Sequence, residues 1–294
     1  MQFAPTGDLA AFEASRPRLF GIAYRMLGSA AEAEDVVQDA WLRWQSVDHS
    51  QVREPAAFLA TTVTRLAIDA LNSARMQRET YIGPWLPEPV DTSQDPYLGA
   101  ERGEALEMAV LLLLEKLKPA ERAAYVLREA FDYGYEQIAQ VLETSEANCR
   151  QLVTRARKHL ATERHQLVSR EQQEQLLESF LVAAENGDTA ALERLFTADI
   201  ISFADGGGVV TAARVPVLGR ERVAQVIAFF GQKLWPGITV KRLEVNGEPA
   251  ALLLRGQDPY AVIRLEASAE GVHQVMWVMN PAKLERISST LSQN

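Results

Sequence analysis

Apolar residues recur at helical spacing from Asp8 to Arg78, lose that spacing over residues 79–99, regain it from Ala100 to about His165, and finally give way to segments that alternate. In the first block Gly28 and Ser29 mark a turn between two helices, of which the second, roughly Ala30 to Ser46, puts Val36, Val37, Ala40, Trp41 and Trp44 on one core-facing stripe. Its opposite face carries Asp35, Gln38, Asp39 and Leu42 at i, i+3, i+4 and i+7, an acidic surface with an apolar residue set in it. A third helix starts near Glu54 and Pro55, where proline suits a first turn, and ends in basic residues. Arg65, Asn72, Arg75 and Arg78 lie along it. The stretch that follows, ETYIGPWLPEPVDTSQDPYLG, is too rich in proline and turn residues for a helix or a central strand, and predicts an interdomain linker. Trp85 and Leu86 stand between its prolines and are apolar enough to dock on a neighbouring surface.

In the second helical block Pro119 opens a helix and Gly134 breaks the next, and YEQIAQVLETSEANCRQLVTRARKHL has the form helix, short turn, helix. Cys149, Leu152, Val153, Ala156 and Leu160 share the buried stripe of its second helix, with Ser145 as N-cap. Facing away are Arg150, Gln151, Thr154, Arg155, Arg157 and Lys158, the polar and basic face that major-groove entry requires. Cys149, being on the inward stripe, is expected as a small core residue, because a redox switch needs an exposed thiolate. Beyond Glu171 come two amphipathic helices, QEQLLESFLVAAENG and TAALERLFTA, and then DIISFADGGGVVTAARV, which predicts strand, glycine turn, strand. A further helix, GRERVAQVIAFFGQKL, precedes the extended runs ITVKRLEV, AALLLRG, YAVIRLEAS and VHQVMWVM, separated by turn signals. The expectation is an antiparallel sheet with helices on one side, an α+β unit. The predicted divisions are a helical domain at 1–80, a linker at 81–99, a helix-turn-helix domain at 100–168 and the α+β domain at 169–294.

Composition narrows the chemistry. The 294 residues are enough for two or three compact units, each with its own core. No apolar run approaches the roughly 20 residues of a membrane span, and the first residues do not form a secretory signal, so a cytoplasmic chain is expected. A single cysteine excludes an intramolecular disulfide, and no Cys/His cluster has zinc spacing, so neither metal nor cofactor is expected. The net charge of −9 runs against nucleic-acid binding. Its distribution reverses that: from Ser145 to Arg170, Arg150, Arg155, Arg157, Lys158, Arg164 and Arg170 face only Glu146 and Glu163. Asp205 and His273 invite an acid/base pairing, but alternation can turn His273 outward on its strand, and no residue is assigned to catalysis. Gly206, Gly207 and Gly208 lack the lysine of a phosphate loop and predict a tight turn.

Two runs, RLFGIAYRMLGSAAEAEDVVQDAWLRW and FDYGYEQIAQVLETSEANCRQLVTRARKHL, resemble regions two and four of the extracytoplasmic-function RNA polymerase sigma factors. The resemblance implies core-polymerase contact through Asp35, Gln38, Asp39 and Leu42. It implies reading of the minus-thirty-five element through Arg150, Gln151, Thr154, Arg155, Arg157 and Lys158, and of the minus-ten element through Arg65, Asn72, Arg75 and Arg78. The remainder resembles a subgroup with a SnoaL-like cone extension. Its motifs stand here as WLPEP at Trp85 to Pro89, DGGG at Asp205 to Gly208, and NPAKL at Asn280 to Leu284, with Ala282 in place of an acid. By that likeness Trp85, Leu86, Pro87, Asp205, Gly206, Gly207, Gly208, Asn280, Pro281 and Lys283 serve regulation of the sigma domains by the extension. The implied architecture is multidomain: two all-α helical sigma domains, then an α+β SnoaL-like cone. The implied partners are core RNA polymerase, promoter DNA and the chain's own C-terminal domain, with no membrane and with a small-molecule ligand of the cone left open. Two other functions stand beside it: a cone enzyme fused to a sigma factor, and a helix-turn-helix regulator without polymerase affinity.

Overall fold

A computed structural model describes residues 6–92, 107–161 and 168–291, and the chain divides into two compact units. The first holds residues 1–79 with 95–163, the second residues 80–94 with 164–294. Among the described residues no helix is long and apolar enough to cross a membrane.

In the first unit, α1 (Thr6–Leu27), α2 (Ala30–Gln45) and α3 (Pro55–Glu79) bury their apolar stripes against one another. Gly28 takes a positive φ, and Ser29 then caps α2 by accepting from the Glu32 N–H, so the glycine–serine pair starts a new helix at a sharp turn. Trp44 is fully buried, and its indole N–H donates to the Asp8 carbonyl at 3.0 Å, which satisfies the one polar atom of a large apolar side chain. Among the described residues four further helices follow: α4 (Met108–Leu114), α5 (Pro119–Glu129), α6 (Tyr135–Leu142) and α7 (Glu146–Ala161). Between α6 and α7 the chain turns through Glu143 in the left-handed region, and Ser145 Oγ accepts from the Asn148 N–H, so the predicted cap forms.

The second unit packs α8 (Arg170–Asn186), α9 (Thr189–Leu195) and α10 (Arg220–Leu234) on a sheet of β1 (Phe196–Asp205), β2 (Val217–Leu218), β3 (Ile238–Val245), β4 (Glu248–Arg255), β5 (Asp258–Ser268) and β6 (Gly271–Val278). The order is β2-β1-β6-β5-β4-β3. The sheet is mixed, not wholly antiparallel as expected: β1 runs parallel to β6. Alternation predicts a strand but not its neighbour's direction, and these two are joined by a crossover through α10 and the β3–β5 meander. The strand expected directly after the glycine turn, up to Val215, does not form, because residues 206–216 make an irregular loop; the two-residue β2 begins only beyond it. A last helix, α11 (Pro281–Leu291), was not anticipated. Gly231 lets α10 and α8 approach so closely that a Cβ there would stand 2.0 Å from the Ala184 carbonyl oxygen.

Candidate functional site

Helix α7 buries Cys149, Leu152, Val153, Ala156 and Leu160, the whole predicted stripe. Burial pushes the Cys149 thiol above its ordinary value, the reverse of what a reactive thiolate needs. Arg150, Gln151, Thr154, Arg155, Arg157 and Lys158 are all exposed on the other face. Arg150 pairs with Glu146 one turn earlier at 2.7 Å and stacks over the Tyr135 ring, while Arg157 pairs with Glu129 at 2.7 Å. Exposed pairs of this kind are weak and can be exchanged for phosphate contacts at little cost. On α2, Asp35, Gln38, Asp39 and Leu42 are exposed together, Leu42 at 57%, so the helix presents its acidic face with one bare apolar side chain.

The α3 residues stand differently. Arg65 caps the C-terminal end of α6: its Nε donates to the Val141 carbonyl and an Nη to the Gln140 carbonyl, both at 3.0 Å, and its other Nη lies 3.0 Å from Glu143. A guanidinium suits the negative end of a helix, where the last carbonyls lack intrahelical partners. Arg78 donates to the Leu27 carbonyl at 2.6 Å and forms an ion pair with Glu115 just beyond α4. Glu115 also receives Arg122, a wholly buried guanidinium on α5 whose Nε donates to the Arg25 carbonyl at 3.1 Å. Desolvation lowers the pKa of Arg122 and the carboxylate opposes that loss. Asn72 is exposed on α3, and the Arg75 side chain lies outside the described residues. Glu115 was absent from the sequence expectations, since no motif contains it.

The second unit gathers the three remaining motifs around one buried carboxylate. Asp205, at the end of β1, is 0% exposed. Its Oδ1 accepts from the Tyr81 hydroxyl at 2.5 Å and from the Gly207 N–H at 3.1 Å; its Oδ2 accepts from the Leu86 N–H at 2.9 Å and lies 2.7 Å from Lys283 Nζ. Lys283 also donates to the Leu86 carbonyl and sits 4.3 Å from the Trp85 ring centre. Asn280 donates to the Tyr81 oxygen at 2.9 Å and accepts from the Ala282 N–H, starting α11 ahead of Pro281. Burial, then the Asp205 carboxylate, raises the Tyr81 phenol well above its usual range. The glycines are needed here: Gly207 has φ +61°, and a Cβ on it would stand 2.4 Å from Asn280. Leu86, Pro87, Glu88, Pro89 and Val90 are buried, Trp85 is half-buried, and the segment continues along β3 through the Asp91–Val245 bridge, with the Thr92 N–H donating to the Glu244 carbonyl at 3.1 Å. Tyr81 and Thr92 were not among the expected residues; Tyr81 lies four residues before Trp85, outside the WLPEP run.

Asp205 and His273 do not form a pair. Asp205 stands opposite Val278 in the β1–β6 register, five residues beyond His273 along β6, which leaves the two side chains at different points of the strand pair. His273 is buried rather than outward, with its Nε2 2.5 Å from Ser268 Oγ.

The sigma-70 region 2 family matches residues 11–76 and the sigma-70 region 4 family residues 107–160, the three-helix bundle and the helix-turn-helix block. The chain belongs to the extracytoplasmic-function RNA polymerase sigma factors, proteins that bind core polymerase and direct promoter recognition and transcription initiation. It is 36% identical to the ECF RNA polymerase sigma factor SigJ of Mycobacterium tuberculosis over 94% of this chain and 93% of that one. It is 28% identical to the probable ECF sigma factor SigI of the same species over 96% of each. The crystal structure of M. tuberculosis SigJ matches with a TM-score of 0.75 at 31% identity, covering 95% of this chain and 98% of that one, so the likeness includes the C-terminal α+β domain.

Proposed function

We propose that the chain is a sigma factor carrying its own regulator, in which the C-terminal domain controls the sigma domains by holding the segment that leads from one to the other. The divisions at 1–80, 81–99, 100–168 and 169–294 serve that reading, as does residence in the cytoplasm with polymerase. The protein has no enzymatic task in it. Core polymerase meets Asp35, Gln38, Asp39 and Leu42. The minus-thirty-five element is read by Arg150, Gln151, Thr154 and Arg155, with Arg157 and Lys158 on phosphates. Arg65, Asn72, Arg75 and Arg78 reach the minus-ten strand only after Arg65 and Arg78 leave the carbonyls and carboxylates that now hold them.

The observation that carries the proposal is the buried Asp205 carboxylate with Tyr81, the Leu86 N–H and Lys283 upon it. A linker fixed there at both backbone and side chain is not free to stretch between two readers spread over polymerase. Because the regulator is on the same chain, its effective concentration is high and weak contacts suffice. The docked and released states must differ in affinity for polymerase or DNA, since a partner that binds both equally shifts nothing. Reconstituted run-off transcription with the full chain, a chain cut after Ser169, and the Trp85→Ala and Asp205→Ala variants tests this. All three changes are expected to move output in one direction; equal output throughout, with unchanged compactness by scattering, refutes it. In the same assay Arg155→Ala is expected to weaken promoter binding by about 1–3 kcal/mol while core binding persists.

A further inference from the structure

Between β1, the sheet and α10 the cone encloses a cavity of about 70 Å³, several times the ~10–15 Å³ that one water needs on the same measure. Its lining is almost wholly apolar and includes no carboxylate, imidazole or amine. Among the described residues the Tyr260 hydroxyl is the single acid–base group in the lining, with no second such group to pair with it, and binding is what the lining offers. One polar atom stands out. Trp235 is 7% exposed, lines the cavity, and its indole N–H has no hydrogen-bond partner among the described residues. A buried indole donor ordinarily finds an acceptor, because leaving it unpaired is costly. The cavity also shares a wall with the linker. Ala204, Thr211, Ala212 and Ala213 line it on one side, and on the other line a second cavity of about 250 Å³ whose far wall is Ile82 and Gly83. The loop between is close-fitted to the linker: a Cβ on Gly208 would stand 3.0 Å from Ile82.

We propose that the cone cavity binds a small, largely apolar molecule bearing one hydrogen-bond acceptor, which Trp235 engages, and that its presence reaches the docked linker through the shared wall of Ala204 and residues 211–213. The second half rests on the reading that linker docking regulates the chain. A ligand seated against that wall resists its inward movement and so changes how firmly Ile82 and Gly83 are held; a ligand that left the wall untouched would alter nothing.

Acetophenone and ethylbenzene are matched in size and differ by one carbonyl, which makes them the probes. Equilibrium binding of each to the full-length chain is compared among wild type, Trp235→Phe and Val226→Phe, with thermal melting to confirm that each variant is folded. Acetophenone is expected to bind roughly five-fold tighter than ethylbenzene, the ratio to fall to near unity in Trp235→Phe, and both to be lost in the filled Val226→Phe cavity. Hydrogen exchange at residues 81–86 is expected to change when acetophenone saturates. Failure of wild type to bind either probe, self-association that excludes both, or binding that persists in a folded Val226→Phe variant overturns the site. A preference that survives in Trp235→Phe overturns the role of the indole. Binding with no change at residues 81–86 overturns the coupling alone, and the Asp205→Ala transcription result then decides separately whether docking regulates.

Discussion

Two carboxylates, the partly buried Glu115 in the first unit and the wholly buried Asp205 in the second, each tie together segments far apart in sequence, yet they do so with different donors. Glu115 is gripped by two guanidinium groups, Arg78 from α3 and the wholly buried Arg122 from α5. Asp205 meets one ammonium, one phenol and two backbone N–H groups, of which one belongs to the linker. A charge surrounded only by charges is strongly held and costly to break. A charge satisfied largely by neutral donors can give some of them back to water at less cost. The comparison teaches that the join between the sigma regions is built to last unless something supplies a full replacement for an arginine, whereas the linker is fastened by several modest bonds that a competing surface can displace one at a time.

The largest effect should come from Glu115→Ala, which leaves Arg122 buried without its counter-charge; a loss of about 3–5 kcal/mol is expected, read as a lowered denaturation midpoint of the helical unit. An unchanged midpoint would show that the two-arginine grip is not structural. Lys283→Met keeps the aliphatic stem and removes the ammonium from Asp205, at about 1.5–3 kcal/mol of linker docking, measurable as faster proteolysis within residues 80–92. Tyr81→Phe removes a single neutral donor and should cost about 1 kcal/mol by the same measure, less than Lys283→Met; the opposite ranking would place the strength of this site in the phenol. The smallest effect is that of alkali. Tyr81 ionises at a higher pH when docked than when released, so its contribution is fully present below the ordinary phenol value of 10.0 and is lost as pH rises above it. Docking should thus be flat between about pH 7 and 9 and weaken only beyond.

The sequence was most legible where one periodicity decides the matter. The buried stripe of α7 is complete at 3.6 residues per turn, and every residue assigned to its outer face is exposed. The same periodicity sets Asp35, Gln38, Asp39 and Leu42 on the open face of α2. On α3 it failed to reveal what occupies the arginines: Arg65 is exposed by pattern, but its hydrogen bonds go to carbonyls of residues 140 and 141, and Arg78 answers to Glu115. Such partners belong to tertiary structure, which helical spacing does not encode. The WLPEP, DGGG and NPAKL runs are grouped by likeness alone, and Asp205 draws Leu86 and Lys283 together. Tyr81 escaped because a tyrosine in a turn-rich segment carries no periodic signal. Helix α11 has one readable sign in the sequence, an Asn-Pro start.

The backbone amide of Leu86 offers the most direct test of the claim that the linker is held on Asp205 and given up when the sigma domains engage polymerase. Its N–H donates to Asp205 Oδ2 at 2.9 Å from a residue that is itself 0% exposed. Hydrogen exchange at that amide should be slow in the free full-length protein, fast in Asp205→Ala, and accelerated in the wild type when core polymerase is added. Slow exchange that persists unchanged in the polymerase complex would contradict the account.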